Sequence, residues 1–247
     1  MGSSRVLVTG SSRGIGRAIA RSLAEAGWQV ALHGSHPGKD LEESERAVGN
    51  QAAGSYAADL SDPSRADSLL AQVVADGPLH ALVNNAGVYL PLDFTGASEA
   101  VFETNLRKTF AVNFEAPVRL IRAAIPHFRV QGGGKVLNVS SRVGFKGEAG
   151  ATTYAASKAA LTNLTRSLAA ELASQNVLFF GIAPGWTETA MAREGMEDRL
   201  GEILAGIPLG RMATPDDCAA ACRFLLSEEA RYLSGVVIDI NGASYFH

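Results

Sequence analysis

The chain has 247 residues, with 22 Lys and Arg against 25 Asp and Glu and a formal net charge of −3. A hydrophobic share of 47% is ample for a core, and a charged share of 19% is too low for a disordered chain. The near-neutral balance excludes the basic excess of a dedicated nucleic-acid binder, and no apolar run reaches the roughly 18 residues of a membrane span.

Met1–Ser4 is too short and small for a signal peptide and reads as a cloning remnant. Arg5–Thr9 predicts a buried strand and Gly10–Gly16 a turn. Arg17–Ala26 has helical periodicity and stops at Gly27, the residue type that ends helices. Gln29–His33 predicts a second strand, Leu41–Val48 a polar helix, and Ser55–Ala58 a short strand ending at Asp59. Asp62–Ala75 predicts a helix with Asp62 as cap and Pro63 in the first turn. Leu79–Val83 is a fourth strand, followed by Asn84-Asn85-Ala86-Gly87. A long helix over Glu99–Phe114 continues through Phe128 past Pro117, until Gly132–Gly134 breaks it. Lys135–Ser140 is the fifth strand, Thr153–Gln175 a helix, Val177–Ile182 the sixth strand, Pro215–Leu226 a helix and Val236–Ile240 the seventh strand. Trp186–Pro208 is the least regular segment. Its place between the sixth strand and the last helix predicts a substrate lid.

Strands separated by helices from end to end mean parallel βαβ units with right-handed crossovers. The expected fold is α/β: a single Rossmann domain over 1–247, doubly wound, with a seven-stranded parallel sheet and helices on both faces. Cys218 and Cys222 stand four residues apart on one predicted helix. They form no disulfide framework and no neighbour completes a metal site, so buried thiols in a reduced, cytoplasmic protein are expected.

Thr9-Gly10-Ser11-Ser12-Arg13-Gly14-Ile15-Gly16 joins the first strand to the first helix. Glycines there let the backbone approach a pyrophosphate, and the helix N-terminus supplies oriented N–H groups. The G-x3-G-x-G spacing differs from the commoner G-x-G-x-x-G and lacks the Gly-Lys-Ser/Thr ending of a P-loop. An NAD site usually places a carboxylate about 20 residues beyond the glycines. Here that position is about Gly34, in His33-Gly34-Ser35-His36, with no acid near. The vacancy leaves room for a 2′-phosphate, for which Arg13, Ser35 and His36 are candidate partners, so NADP(H) is expected. His33 and His36 lack a third ligand, and no metal is expected.

Tyr154-Ala155-Ala156-Ser157-Lys158 puts a phenol and an ammonium on one helix face. Ser141 lies 13 residues before Tyr154 at the carboxyl end of the fifth strand, the edge where ligands bind in open parallel sheets. Spacing favours Ser141 over its neighbour Ser140. Asn113 lies on the helix before that strand.

Taken together, Thr9–Gly16, Asn84–Gly87, Asn113, Ser141, Tyr154 with Lys158, and Pro184-Gly185 resemble the short-chain dehydrogenase/reductase family, in order and spacing across essentially the whole chain. Ser12–Ala20 and Pro208-Leu209-Gly210-Arg211 followed by Thr214-Pro215 are most similar to its 3-oxoacyl-carrier-protein reductases. The resemblance implies reduction of a ketone or acyl thioester with NADPH by Ser141, Tyr154 and Lys158, an acyl carrier protein as candidate partner, and a homotetramer. It also implies that Lys158 holds the nicotinamide ribose and that Asn113 positions a water in a proton relay. Further cofactor contacts would come from Gly10, Ser12, Arg13, Gly14, Ile15 and Gly16 in the turn, and from Ser35. Asp59 and Leu60 are expected at the adenine, Asn85 and Ala86 near the ribose, Thr187 at the carboxamide, and Gly87, Pro184 and Gly185 beside them.

The chemistry follows from the side chains. Tyr154 would protonate the carbonyl oxygen as hydride arrives, and Ser141 would hydrogen-bond the same oxygen. A free phenol titrates at about 10, and the Lys158 ammonium is expected to lower that value. Asn84 is expected to tie strands together rather than touch cofactor. Tyr89, Phe94, Phe145, Trp186, Met191 and Met196 are candidates for an apolar substrate cleft. Two features depart from the family pattern. Asn241-Gly242-Ala243 stands where Gly-Gly is frequent, and the carrier-docking basic residues are reduced to Arg129 and Lys135 in a shifted context, with Gln175 in place of Arg. Arg119, Arg122 and Arg129 also fit an ordinary solvated face. Two other functions fit the same sequence: oxidation of a sugar, polyol or steroid alcohol, and a non-catalytic NADP-binding sensor. A sensor would have no need of the acid.

Overall fold

A parallel strand buried on both faces must be apolar at nearly every position, and Arg5–Val8 (β1), Ala81–Asn84 (β4) and Val177–Pro184 (β6) are buried along their whole length. In the computed structural model, which describes residues 4–193 and 199–247, they form a sheet with Gln29–Gly34 (β2), Ala52–Ala57 (β3), Gly134–Val139 (β5) and Val237–Ile240 (β7). All pairs are parallel and the order is β3-β2-β1-β4-β5-β6-β7. The order reverses between β1 and β4, so the crossovers on either side run to opposite faces and leave a crevice at the strands' carboxyl ends.

The two faces have separate cores. Val6, Val8, Val30 and Leu32 point to one face, where they meet Ile19 and Leu23 of Gly14–Glu25 (α1), Leu41 and Val48 of Lys39–Val48 (α2), and Cys218, Cys222 and Leu225 of the last helix. Leu7, Val136 and Phe179 point to the other. They meet Leu69 and Val73 of Ser64–Ala75 (α3), Leu120 and Phe128 of Ala116–Val130 (α5), and Ala169 and Leu172 of Thr152–Leu172 (α6). Glu99–Phe110 (α4) precedes α5.

Boundaries shift where local chemistry outruns periodicity. The first helix starts at Gly14, because the turn's own residues complete its opening hydrogen bonds: Arg17 N–H donates to Arg13 O at 3.2 Å. The long helix runs on as expected, but Ala111–Glu115 forms a π turn between α4 and α5. The third strand begins at Ala52 rather than Ser55, since pairing with β2 extends it across a register shift. In the least regular segment, Ala190–Arg193 (α7) and Leu200–Ala205 (α8) are helical. Ile203, Ile207 and Met212 make a small core there with Trp186, Ala192 and Leu204. Met196 lies outside the described residues. Pro215–Leu225 (α9) opens with a capping box, in which Thr214 accepts from Asp217 N–H at 3.2 Å and Asp217 accepts from Thr214 N–H at 2.7 Å. No described helix is long and apolar enough to cross a membrane.

Candidate active site

At the β1/β4 crevice a cavity of about 590 Å³ runs from the glycine turn, across the ends of β1, β4, β5 and β6, to α6 and the segment after β6. The turn is shaped by residues without side chains. Gly14 has φ +55°, a left-handed conformation that a β-carbon disfavours. Gly16 faces Gly10 O and the Asn85 amide so closely that a β-carbon has no room. The chain after β4 is laced onto this turn. Thr9 Oγ1 accepts from the Asn85 and Ala86 N–H groups at 3.0 and 3.1 Å, and the Asn85 amide donates to Thr9 O at 2.9 Å. Asn85 therefore lines the cavity while its amide fixes the turn.

Every residue expected at the cofactor lines this cavity: Gly10, Ser12, Arg13, Gly14, Ile15, Gly16, Ser35, Asp59, Leu60, Asn85, Ala86, Gly87, Tyr154, Lys158, Pro184, Gly185 and Thr187. The fit to a dinucleotide rests on the cradle itself. Gly10, Gly14 and Gly16 line it at the turn without side chains, and a β-carbon on Gly87 would come within 3.3 Å of Asn113 Oδ1 and 3.5 Å of Lys158 Nζ. His36 and Lys108 also line the end nearest Ser35. Asp59 there is held below the usual carboxylate range by hydrogen bonds from Ser61, with a small contribution from His36 and Lys108.

Ser141, Tyr154 and Lys158 converge at the other end. Ser141 leaves β5 in extended conformation, and Val143 N–H donates to its hydroxyl at 3.4 Å. Its neighbour Ser140 is buried and bonded to Lys158 O at 3.0 Å and to the Thr162 hydroxyl at 2.6 Å, which makes it structural. Lys158 is 3% exposed, its ammonium donates to Val139 O at 2.8 Å, and it lies 5.7 Å from the centre of the Tyr154 ring. Burial pushes Lys158 down to about 8 and Tyr154 up to about 12; the Ser141 hydroxyl pulls the phenol back only in part. The lysine thus does not bring this phenol below 10. Burial penalises the charged form of each group.

Asn113 sits in the π turn, fully buried and behind the cavity wall. It accepts from Val88 N–H at 2.8 Å and donates to Val88 O at 3.0 Å and to the Ser157 hydroxyl at 3.1 Å. With both amide hydrogens engaged by protein, it acts here as a clamp on the segment that follows Gly87. Asn84 donates to the Asn138 side chain at 2.8 Å, tying β4 to β5 as expected.

Of the proposed cleft residues, Tyr89, Trp186 and Met191 line the cavity. Phe94 does not: it is 58% exposed and packs on Phe102. Phe145 stacks on His247 instead, with ring centres 3.6 Å apart. Glu148 and Arg199, which the sequence did not single out, join the wall. Glu148 accepts from the Arg142 guanidinium at 2.8 Å and raises both Tyr89 and Tyr154. It sits in an irregular loop whose path is set by tertiary contacts, so no periodicity could have pointed to it. Lys135 lies at the opposite edge of the sheet, donating to Leu226 O, Ser227 O and Glu228, and Arg129 is bonded to Gln175. They do not form a basic rim beside the cavity. The two cysteines are buried, and burial pushes Cys218 up to about 12. No cluster of metal-ligating side chains occurs among the described residues.

The family model described as enoyl-(acyl carrier protein) reductase matches residues 10–243. The chain is 36% identical to the 3-oxoacyl-[acyl-carrier-protein] reductase FabG of Aquifex aeolicus, over 97% of this chain and 96% of that one. It superposes with TM-score 0.90 and 32% identity on a protein described as an NAD(P)-dependent gluconate 5-dehydrogenase from Beutenbergia cavernae with bound NADP, covering 99% and 97% of the two chains. A 3-oxoacyl (acyl-carrier-protein) reductase from Agrobacterium tumefaciens C58 with NADP bound gives TM-score 0.89 and 32% identity, over 97% and 93%. With the parallel sheet, the glycine turn and the serine, tyrosine and lysine at one cavity, these similarities make the chain a member of the short-chain dehydrogenase/reductase family, an oxidoreductase acting on alcohol and carbonyl groups.

Proposed function

We propose that this chain reduces a ketone to a secondary alcohol with NADPH, and that the ketone is a 3-oxoacyl thioester. The observation that carries the reading is one continuous cavity with the glycine turn at one end and Ser141, Tyr154 and Lys158 at the other. A bound dihydronicotinamide would supply the hydride for the carbonyl carbon. The Tyr154 phenol, protonated across the neutral range because burial holds it near 12, gives its proton to the carbonyl oxygen. The Ser141 hydroxyl donates to that oxygen as negative charge grows on it. Lys158 spends one N–H on Val139 O and keeps others for the ribose and the nascent phenolate. Asn113 is a positioning residue rather than a catalytic one, since it holds Val88 beside the cavity.

The identity to FabG favours the thioester, whether carried by an acyl carrier protein or by a smaller group. The engagement of Lys135 and Arg129 supplies no docking rim for a carrier. Glu148 and Arg199 in the cleft favour a second reading, a hydroxylated substrate such as a sugar acid, and the gluconate 5-dehydrogenase likeness agrees with it. NADPH oxidation assayed across 3-oxoacyl thioesters, keto sugar acids and ketosteroids separates the two. Turnover of the thioesters at least tenfold above the rest supports the first reading, and the reverse order overturns it.

Preference for NADPH over NADH rests on Gly34, where a β-carbon would come within 3.3 Å of His36 O and 3.4 Å of Ser12 Cβ. Gly34→Asp requires His36 O to give by a few tenths of an ångström, and the new carboxylate would oppose a 2′-phosphate. The wild type should bind NADPH at least about tenfold more tightly than NADH, and Gly34→Asp should erase that ratio. Equal affinities of the wild type for both, measured by fluorescence titration, would contradict the assignment.

A further inference from the structure

His33 is the penultimate residue of β2, is 2% exposed, and presents its ring to the end of the cavity nearest Ser35 and Asp59. Both ring nitrogens are spent on main chain. Gly10 N–H in the glycine turn donates to Nδ1 at 3.0 Å, and Nε2 lies 3.0 Å from Ala58 O, just beyond β3. A peptide N–H can only donate and a carbonyl oxygen can only accept. One form satisfies both partners: the neutral imidazole with its proton on Nε2. Ser11 repeats the connection, since its N–H donates to His33 O at 2.9 Å and His33 N–H donates to its hydroxyl at 2.8 Å.

The ring thus spans from the first strand's turn to the third strand's end across the top of β2. The turn residue it holds, Gly10, has φ +62° and faces Ala86, and its carbonyl receives the Asn85 amide at 3.1 Å. Gly10 is therefore fixed from two sides, by Asn85 through its oxygen and by His33 through its N–H. Burial lowers His33 to about 4, so the neutral form persists through the physiological range. The charged or titratable groups at this end of the cavity are Arg13, His36, Asp59 and Lys108, and none bonds the imidazole, whose partners are both backbone. His36, by contrast, is exposed.

We propose that His33 is a positioning residue of the dinucleotide site, whose neutral Nε2–H ring pins the Gly10 N–H and Ala58 so that the turn stands preorganised for the pyrophosphate and adenosine. The proposal rests on the reading of this cavity as a dinucleotide site. A preorganised turn lowers the ordering cost of binding and leaves the reacting end untouched, so its loss falls on cofactor affinity and not on turnover.

The test uses the intact protein and NADP⁺ binding by calorimetry, with KM for NADPH and kcat as companions. In His33→Leu the Gly10 N–H loses its acceptor, and Kd for NADP⁺ and KM for NADPH should rise about tenfold while kcat at saturating cofactor stays within about twofold. His33→Asn offers an amide oxygen near the place of Nδ1 and should recover most of the affinity. His36→Gln should leave the ring's contacts intact, and ¹⁵N NMR of the wild-type ring should show the neutral Nε2–H tautomer at pH 7. Wild-type affinity in His33→Leu, a kcat loss as large as the KM change, or an Nδ1–H tautomer would overturn the proposal alone. Failure of the wild type to bind NADP⁺ would overturn the dinucleotide reading as well. Should His33→Leu not fold, the Asn variant and the tautomer decide: an affinity lowered about tenfold or more in His33→Asn, or an Nδ1–H ring in the wild type, rejects the assignment.

Discussion

Tyr154 and Lys158 stand one helical turn apart on α6, and burial drives their protons in opposite senses. The phenol is held protonated, near 12, and the ammonium is weakened to about 8. In the proposed reduction the proton donor is therefore ready throughout the neutral range, and the lysine sets the pH limit. As pH rises through about 8, Lys158 in the free protein loses its charge and with it its support for the ribose and the phenolate. Reduction measured as kcat/KM should hence be level below pH 8 and fall above it; alcohol oxidation, which needs the phenolate, should rise with pH. A reductive kcat/KM that climbs between pH 7 and 9 contradicts this assignment. Tyr154→Phe removes the transferable proton with little change of shape. It should lower kcat by about 10² or more while NADPH still binds, whereas Lys158→Met should weaken binding and turnover together. Separate measurement of cofactor affinity and single-turnover rate checks both, and near wild-type turnover in Tyr154→Phe would exclude it as the acid.

At the scale of elements, the site depends on where strands stop and helices start. The segment after β6 is fastened at its base by a parallel bridge between Thr187 and Ala213, with Ala213 N–H donating to Trp186 O at 2.9 Å and Glu188 N–H donating to Ala213 O at 2.9 Å. The next residue, Thr214, caps α9, and the Arg211 guanidinium bonds the Asp217 carboxylate of the same box at 2.7 Å and pulls it down to about 2. The cap thus serves both the helix and the strap that carries Thr187. Thr214→Ala should reduce stability by about 1 kcal/mol, seen as a lower denaturation midpoint with an unchanged slope. No loss of stability would mean that Asp217 and Arg211 hold the helix start without the threonine.

For the whole molecule, α4, the π turn, α5 and α6 form one flank of the sheet, and apolar groups remain on its outside. Val101 is 55% exposed, Ala156 and Ala159 are exposed, and Leu164 and Leu168 are only partly buried. Small side chains on α6 allow another helix to approach closely. A symmetric homo-oligomer, a tetramer by family resemblance, would cover this flank. Sedimentation at micromolar concentration should show a species several times the 25.8 kDa chain mass. A monomer under those conditions would refute the assembly and leave the fold unaffected.

The sequence by itself determined the order of strands and helices, because both periods are written in consecutive residues: near-continuous apolar runs for the buried strands, and Gly27 and Pro215 as stops and starts. It also determined part of the cavity's inventory, since the turn at Gly10–Gly16, Ser141 and the Tyr154–Lys158 pair have fixed places in that order. Tertiary structure alone decided three things. The sign of the Tyr154 shift depends on how much protein surrounds the phenol, which spacing along α6 does not encode. Asn113 stands buried behind the wall in a π turn, a change of helical pitch that periodicity over the long helix cannot register. Glu148, Arg199 and His33 reach the cavity through loops and strand ends far apart in the chain. Their roles come from packing and hydrogen-bond partners rather than from local pattern. Substrate polarity and the hold on the glycine turn are therefore properties of the folded cavity.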